Sequence, residues 1–253
     1  MPDDHPPAPP TDPASTGQPV ASSSPDAFGT GRPAAAATEG GAAKPRWERR
    51  KQDRPQEVIA AAFTLFVERG FAATRLEDVA ARAGISKGTL YLYFASKEEL
   101  FKAVVLASIV PVIDEAEALI DKAAGSSVEL YRQIMLGWWQ RLGATSRSGI
   151  SKLIMAEAGN FPEIAAFYHV EVIERGRAMI RRLLERGMRA GEFRNVAIDS
   201  ACNVLMAPML MLIMWKHSFA SCPAGAIDPH AYLESFLDLS LTGLLADGAA
   251  ARG

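Results

Sequence analysis

Gly84 lies between two short runs with helical patterning, and no other feature of this chain limits its fold so strongly. Ahead of it, in "TRLEDVAARAG" (residues 74–84), Leu76, Val79, Ala80 and Ala83 recur at i, i+3, i+4 and i+7, one face of a helix. Gly84 is free to take the positive φ that ends that helix, and Ser86 is suited to cap the next one. Thr74 followed by Glu77, and Ser96 followed by Glu99, read as capping boxes that mark two helix starts. Gly84, Ser86 and Gly88 also spell G-x-S-x-G, the pattern of a hydrolase nucleophile elbow. An elbow needs a buried strand running into its serine, and the helical spacing of residues 76–83 leaves no such strand. Two short helices around a turn glycine make a helix-turn-helix. Small Ala80 lets the helices approach, Ile85 fills the angle between them, and Leu90 and Phe94 face the shared core, leaving Lys87, Gly88, Thr89, Tyr91 and Tyr93 outside.

The rest of the chain predicts an all-α fold. Val58, Ala61, Ala62, Leu65 and Phe66 form an amphipathic stripe that stops near Gly70, Ser126 followed by Glu129 marks a third start, and Pro162 and Pro229 suit first-turn positions. Helices are predicted near 53–69, 75–82, 86–92, 97–123, 127–143, 148–158, 162–190, 196–219 and 229–246. No segment alternates with period two, and no repeat recurs at 20 to 50 residues. The apolar run "VLMAPMLMLIMW" (204–215) is bounded by Asn203 and Lys216 and reads as a core helix, too short to span a membrane. Cys202 and Cys222 lack metal or redox spacing, and the N-terminus shows no export signal, so the expected location is cytoplasmic.

Charge is unevenly spread within a net of −2. Residues 1–43, rich in Pro, Ala, Ser and Gly, carry −4 and too little apolar surface to order, so a disordered tail is expected there. Its "GTGRPA" matches a dinucleotide fingerprint only in letters, with no strand before it and no helix after. Residues 44–102 carry +4, six of the basic residues falling in "KPRWERRKQDR" (44–54), either a solvated charge run or a mobile arm for phosphates or the minor groove. A basic segment in a near-neutral chain points to a local anionic partner.

Residues 53–101, with "FVERGFAAT" ending the first helix and "RLEDVAARAGISKGTLYLYFASKEELF" after it, resemble the DNA-binding domain of the TetR/AcrR family of bacterial transcription regulators. The resemblance implies three N-terminal helices, a helical effector-binding and dimerisation domain, a palindromic double-stranded DNA operator, and repression relieved by a small molecule. "LIMAEAGNFPEIAAFYHVEVIERG" (153–176) is similar to the regulatory half of an AcrR-like subgroup. The expected organisation is thus a tail at 1–43, a DNA-binding domain at 44–101 with its basic arm at 44–54, and an effector and dimer domain at 102–248.

Candidate DNA contacts are Thr74, Arg75, Ser86, Lys87, Gly88, Thr89, Tyr91, Tyr93 and Lys97. Lys87 and Thr89 suit base edges, Gly88 admits close backbone approach, and the tyrosine hydroxyls suit phosphates. Lys97 lies at the start of the next helix, where an anion is favoured. The resemblance adds weight to Thr89, Tyr91, Tyr93 and Lys97, although Tyr91 and Tyr93 also read as partly core aromatics. Candidate effector residues are Trp138, Phe167, Tyr168, His169, Met206 and Met209, since a Met-rich helix around Pro208 adapts to an apolar ligand. Plain core packing is the competing reading of the same side chains. His169-x-Glu171 lacks the downstream cysteines of a zinc deaminase, and no cofactor, metal or catalytic residue is expected. The last two helices, with Leu205, Leu212, Phe236, Leu237, Leu239, Leu241, Leu244 and Leu245, offer surface for a homodimeric four-helix interface or for the chain's own core. An all-helical adaptor using the helix-turn-helix for a protein partner is the alternative to a DNA-binding regulator.

Overall fold

The computed structural model describes residues 46–219, 222 and 227–246; the tail at 1–43 and the side chains of the basic arm up to residue 53 lie outside the described residues. Among the described residues there are eleven α-helices and no strand beyond one isolated bridge between Phe193 and Leu245. The helices are α1 (Arg46–Ala73), α2 (Leu76–Arg82), α3 (Lys87–Tyr91), α4 (Lys97–Ser108), α5 (Val110–Lys122), α6 (Ser127–Trp138), α7 (Gly149–Glu157), α8 (Pro162–Tyr168), α9 (Arg175–Arg189), α10 (Ile198–Phe219) and α11 (Pro229–Leu244).

The predicted stripe of α1 is buried throughout, with Val58, Ala62 and Phe66 fully enclosed. Gly70 breaks the helix with φ of 85°, a conformation that a side chain would strain. The predicted capping box at Thr74 does not form. Thr74 is only 1% exposed and turns its hydroxyl back to the carbonyls of Gly70, at 2.7 Å, and Leu65, at 3.2 Å, so the cap position of α2 falls to Arg75. Ser96 and Ser126 do cap α4 and α6 through backbone amides, as the sequence spacing suggests, and Asp228 likewise caps α11.

The single helix predicted over 97–123 is instead α4 and α5, broken at Ile109. Pro111 causes the break, since it has no amide to donate and its ring collides with the preceding turn. Two further predicted helices, over 127–143 and 162–190, contain wider π turns at Trp139–Gly143 and His169–Glu174. Facing charges join α9 to α5: Arg175 reaches Asp114 at 2.6 Å and Glu117 at 2.7 Å, Arg182 pairs with Asp121, and Arg186 donates to Ala123 O at 2.9 Å.

Two apolar clusters hold the helices together. One runs from α1–α4 into α7 and α8, and a Cβ built at Gly149 of α7 would come 2.7 Å from Val67 of α1, so these helices touch backbone to side chain. The other joins α6, α9, α10 and α11. The end of α10 is pinned to the start of α7, with His217 Nε2 2.8 Å from Ser148 Oγ, Lys216 Nζ 2.8 Å from Gly143 O, and Lys152 Nζ 3.0 Å from His217 O. Burial, then the charges of Lys216 and Lys152, push His217 below its usual value of 6.5. The folded state therefore disfavours its charged form, and this contribution is complete above about pH 6.5 and is lost as pH falls toward the depressed folded value. Lowering pH from about 7.5 to about 5.5 is expected to reduce the melting temperature more in the parent protein than in His217→Gln.

Candidate nucleic-acid interface and effector cavity

Leu76, Val79 and Ala80 seat α2 on the first cluster, and Gly84, with φ of 67°, turns the chain into α3. Ser86 caps α3 by accepting from Thr89 N at 3.1 Å, while the two hydroxyls lie 2.9 Å apart. Leu90 is fully buried beneath this short helix. The residue preceding the turn belongs to a helix, so the strand of a nucleophile elbow is absent and Ser86 acts as a cap. Ser86→Ala is expected to cost about 1 kcal/mol of stability by chemical denaturation, with no change in any ester hydrolysis.

Arg75, Ser86, Lys87, Gly88 and Tyr91 of the predicted set form an exposed edge, Tyr91 being 45% exposed. Thr89 and Tyr93 are half-buried, and Tyr93 packs on the core. Lys87 pairs with Glu77 across the turn and lies 5.8 Å from the Tyr91 ring centre. The mutual hydrogen bond is the chief cause that lowers the Glu77 carboxyl and raises the Lys87 ammonium. Leu92 is 82% exposed beside this edge and was not among the predicted contacts. Its two-residue offset from buried Leu90, about 200° round a helix, was the available signal.

Two predicted contacts are corrected. Thr74 is buried with its hydroxyl turned to the Gly70 and Leu65 carbonyls, so its side chain is not presented at the surface. Lys97 has its ammonium 2.8 Å from Phe71 O, 3.2 Å from Ala72 O and 3.1 Å from Thr74 O, and 4.5 Å from the Phe71 ring centre, so it fastens the α1–α2 connection instead of presenting a free charge. Carbonyls stripped of helical partners by the Gly70 break attract the cation more closely than sequence position suggests.

A cavity of about 340 Å³ opens among α5–α10. Its walls are almost wholly apolar, and of the predicted effector residues Trp138, Tyr168, Met206 and Met209 line it. Phe167 and His169 do not. Each residue advances about 100° around a helix, so neighbours of Tyr168 point elsewhere. Phe167 packs on the first cluster with Lys102 Nζ 5.9 Å from its ring centre, and His169 is exposed with Nε2 3.5 Å from Glu174. The π turn after α8 carries Val172 and Ile173 into the wall, a contribution that ideal helical spacing did not reveal. Ser151, Arg177 and Asn203 are further lining residues that sequence reading missed.

The cavity and the helix-turn-helix share structural members. Phe161, at the cap of α8, meets Phe71 edge to face at 4.7 Å, and Tyr168 at the far end of the same helix lines the cavity. Glu157 at the end of α7 lies 3.4 Å from Ala72 N, while Ser151 and Ile154 of α7 line the cavity. Lys102 of α4 and Glu163 of α8 pair at 2.5 Å.

On α10 and α11, Leu205, Leu212, Leu237, Leu241 and Leu244 are buried within the chain and are unavailable to a partner. Val204 and Met211, one heptad apart on α10, Phe219 at its end and Leu239 on α11 are the exposed large apolar residues of these helices, Leu239 at 73%. By length and mean hydropathy of 1.6, α10 would be capable of crossing a membrane, but its Cys202, Leu205, Met209, Leu212 and Ile213 are packed in the core.

Residues 58–104 match the family described as bacterial regulatory proteins, tetR family. The chain is 38% identical over 74 residues to the HTH-type transcriptional regulator YfiR of Bacillus subtilis (strain 168), covering 29% of this chain and 34% of that relative. It is 25% identical over 196 residues to the HTH-type transcriptional repressor KstR2 of Rhodococcus jostii (strain RHA1), covering 77% of this chain and 92% of KstR2. The structure of the transcriptional regulator FadR from Bacillus subtilis in complex with stearoyl-CoA superposes with a TM-score of 0.62 at 18% identity, covering 74% of this chain and 98% of FadR.

Proposed function

We propose that the chain is a member of the tetR family of bacterial regulatory proteins and a homodimeric repressor released from a palindromic operator by a small apolar effector. The observation that carries the reading is the pair of helices shared by the two sites. Helices α7 and α8 line the cavity at one end and hold the α1–α2 connection at the other, so an effector that shifts them also shifts the platform of α3. FadR is solved with stearoyl-CoA, which has an apolar acyl chain on a charged head group, and this supports a helical second domain as a holder of small molecules.

In this reading residues 44–101 bind DNA, residues 102–248 bind effector and partner, and the tail at 1–43 takes no direct part. Lys87, Gly88 and Thr89 approach base edges, Arg75, Ser86, Tyr91 and Tyr93 approach phosphates, and exposed Leu92 is suited to a thymine methyl. Val204, Met211 and Leu239 supply the apolar dimer surface, and the protein works in the cytoplasm, where its operator is.

A mobility shift with the purified protein and duplex DNA, repeated at rising salt, tests this directly. Binding at low salt whose logarithm falls linearly with the logarithm of salt concentration is expected. Absence of any shift at low salt would favour the adaptor reading, in which the same helices grip a protein.

A further inference from the structure

Two hydroxyls are buried in the wall of an otherwise apolar cavity. Ser151 Oγ on α7 and Tyr168 Oη on α8 are 2.9 Å apart, each on a residue only 6% exposed. Among the described residues each hydroxyl has the other as its one hydrogen-bonding partner. The pair carries two hydrogens, and the bond between them uses one. The second hydrogen therefore lacks a protein acceptor, which is costly at a buried site, whereas spare oxygen lone pairs are tolerated more easily. Burial pushes the Tyr168 phenol up to about 12, so it keeps its proton over the physiological range.

The cavity's charge points the same way. Arg177 is the one charged residue in its lining, and it is already engaged by Asn203 Oδ1 at 3.0 Å, Asp199 at 3.7 Å and Glu174 at 3.9 Å. With two carboxylates beside it, this guanidinium offers little net attraction to an anionic head group. The volume, about 340 Å³, lies at the low end of ligand pockets, which run roughly from 300 to 1,000 Å³.

We infer that the effector is a compact, uncharged, mainly apolar molecule carrying a carbonyl oxygen, and that the Ser151–Tyr168 hydroxyl pair selects it by donating its spare hydrogen to that oxygen. This inference rests on the reading of the cavity as the effector site. Selection follows because a ligand without an acceptor leaves the buried hydrogen unmet.

Three probes of related skeleton test it on the full chain by calorimetric titration: benzophenone with a carbonyl, diphenylmethane without one, and diphenylacetate with a carboxylate. Benzophenone is expected to bind about tenfold more tightly than diphenylmethane, and diphenylacetate more weakly than either. The double variant Ser151→Ala/Tyr168→Phe, which removes both hydrogens, is expected to weaken benzophenone and leave diphenylmethane unchanged, the latter also reporting an intact cavity. Either single variant leaves one unpaired hydroxyl hydrogen and should keep much of the preference. Ser151→Thr, which keeps both hydroxyls, should keep the preference. Met206→Trp, which fills the cavity from α10, should abolish binding of both neutral probes. Equal binding of the two neutral probes in the parent protein, sensitive to Met206→Trp, would overturn the hydroxyl-pair inference and leave the effector site standing. A tighter complex with diphenylacetate would likewise overturn it. Neutral probes that fail to bind, or that bind equally well to Met206→Trp, would overturn the site reading and the inference together.

Discussion

Replacing Lys87 with alanine is expected to weaken operator binding about a hundredfold or more, with no loss of the dimer and little change in melting temperature. The side chain is exposed at the start of α3, and its partner in the free protein is an equally exposed carboxylate, Glu77. An exposed ion pair contributes little to folding, so removing it should cost little stability. A lysine reading a base edge is worth on the order of tenfold to a hundredfold per half-site, and a two-fold dimer uses it twice. Glu77→Gln separates the two roles of the lysine. That variant frees Lys87 and removes a negative charge beside the DNA, so it should bind as well as the parent protein or better. Weakened binding by Glu77→Gln would mean that the pair itself orders the interface. Fluorescence anisotropy with a labelled operator, paired with thermal melts, measures both.

Phe71→Ala is the second substitution of large expected effect, about 3–5 kcal/mol of lost stability. Phe71 is fully buried just beyond the Gly70 break and contacts three other rings: Phe66 stacked at 5.6 Å, Phe101 on edge at 5.5 Å and Phe161 on edge at 4.7 Å. Lys97 lies over its face while holding three carbonyls around it. Truncation therefore opens a cavity where α1, α4 and α8 meet and removes aromatic pairs beyond their buried area. For a chain of this size the melting temperature should fall by roughly ten degrees. Phe167→Ala, nearly two helical turns beyond Phe161 in α8 and only half-buried, should cost much less. Equal losses in the two variants, measured by denaturant titration, would show that the ring cluster has no special part in joining the two sites.

Residues whose role depends on local geometry were the legible ones. Gly84 had to end α2, Ser86 had to cap α3, and Leu90 had to face inward, because each follows from φ preference, amide capping or helical phase within a few residues. Pro111 was equally local, and the unbroken helix predicted over 97–123 neglected it. Other features depended on distant partners. Thr74 fits a capping box by spacing, but the carbonyls of Gly70 and Leu65 offer its hydroxyl a buried alternative. Lys97 is drawn to carbonyls that are exposed only because α1 breaks. In the cavity, Tyr168 and the methionines at 206 and 209 were recognisable as large apolar-bodied side chains, yet sequence alone gave no means to separate Tyr168 from Phe167 and His169. The packing of α8 sets which of these neighbours faces the cavity, and the π turn after it then brings in Val172 and Ile173. The Ser151–Tyr168 contact joins residues seventeen positions apart on two helices and has no sequence signature. The leucines of α10 and α11 pointed to apolar helices, but which face meets the chain's own core and which is left outside emerged only from packing.

Selection of bound duplexes from a random library by the purified protein tests the central claim most directly, that two copies of the α2–α3 unit read DNA together. The expected product is an inverted repeat whose half-site centres are separated by about one helical turn, roughly 10–10.5 base pairs, or a multiple of it, with enrichment lost in Lys87→Ala. Recovery of duplexes with no inverted repeat, or of the same sequences by Lys87→Ala as by the parent protein, would contradict it.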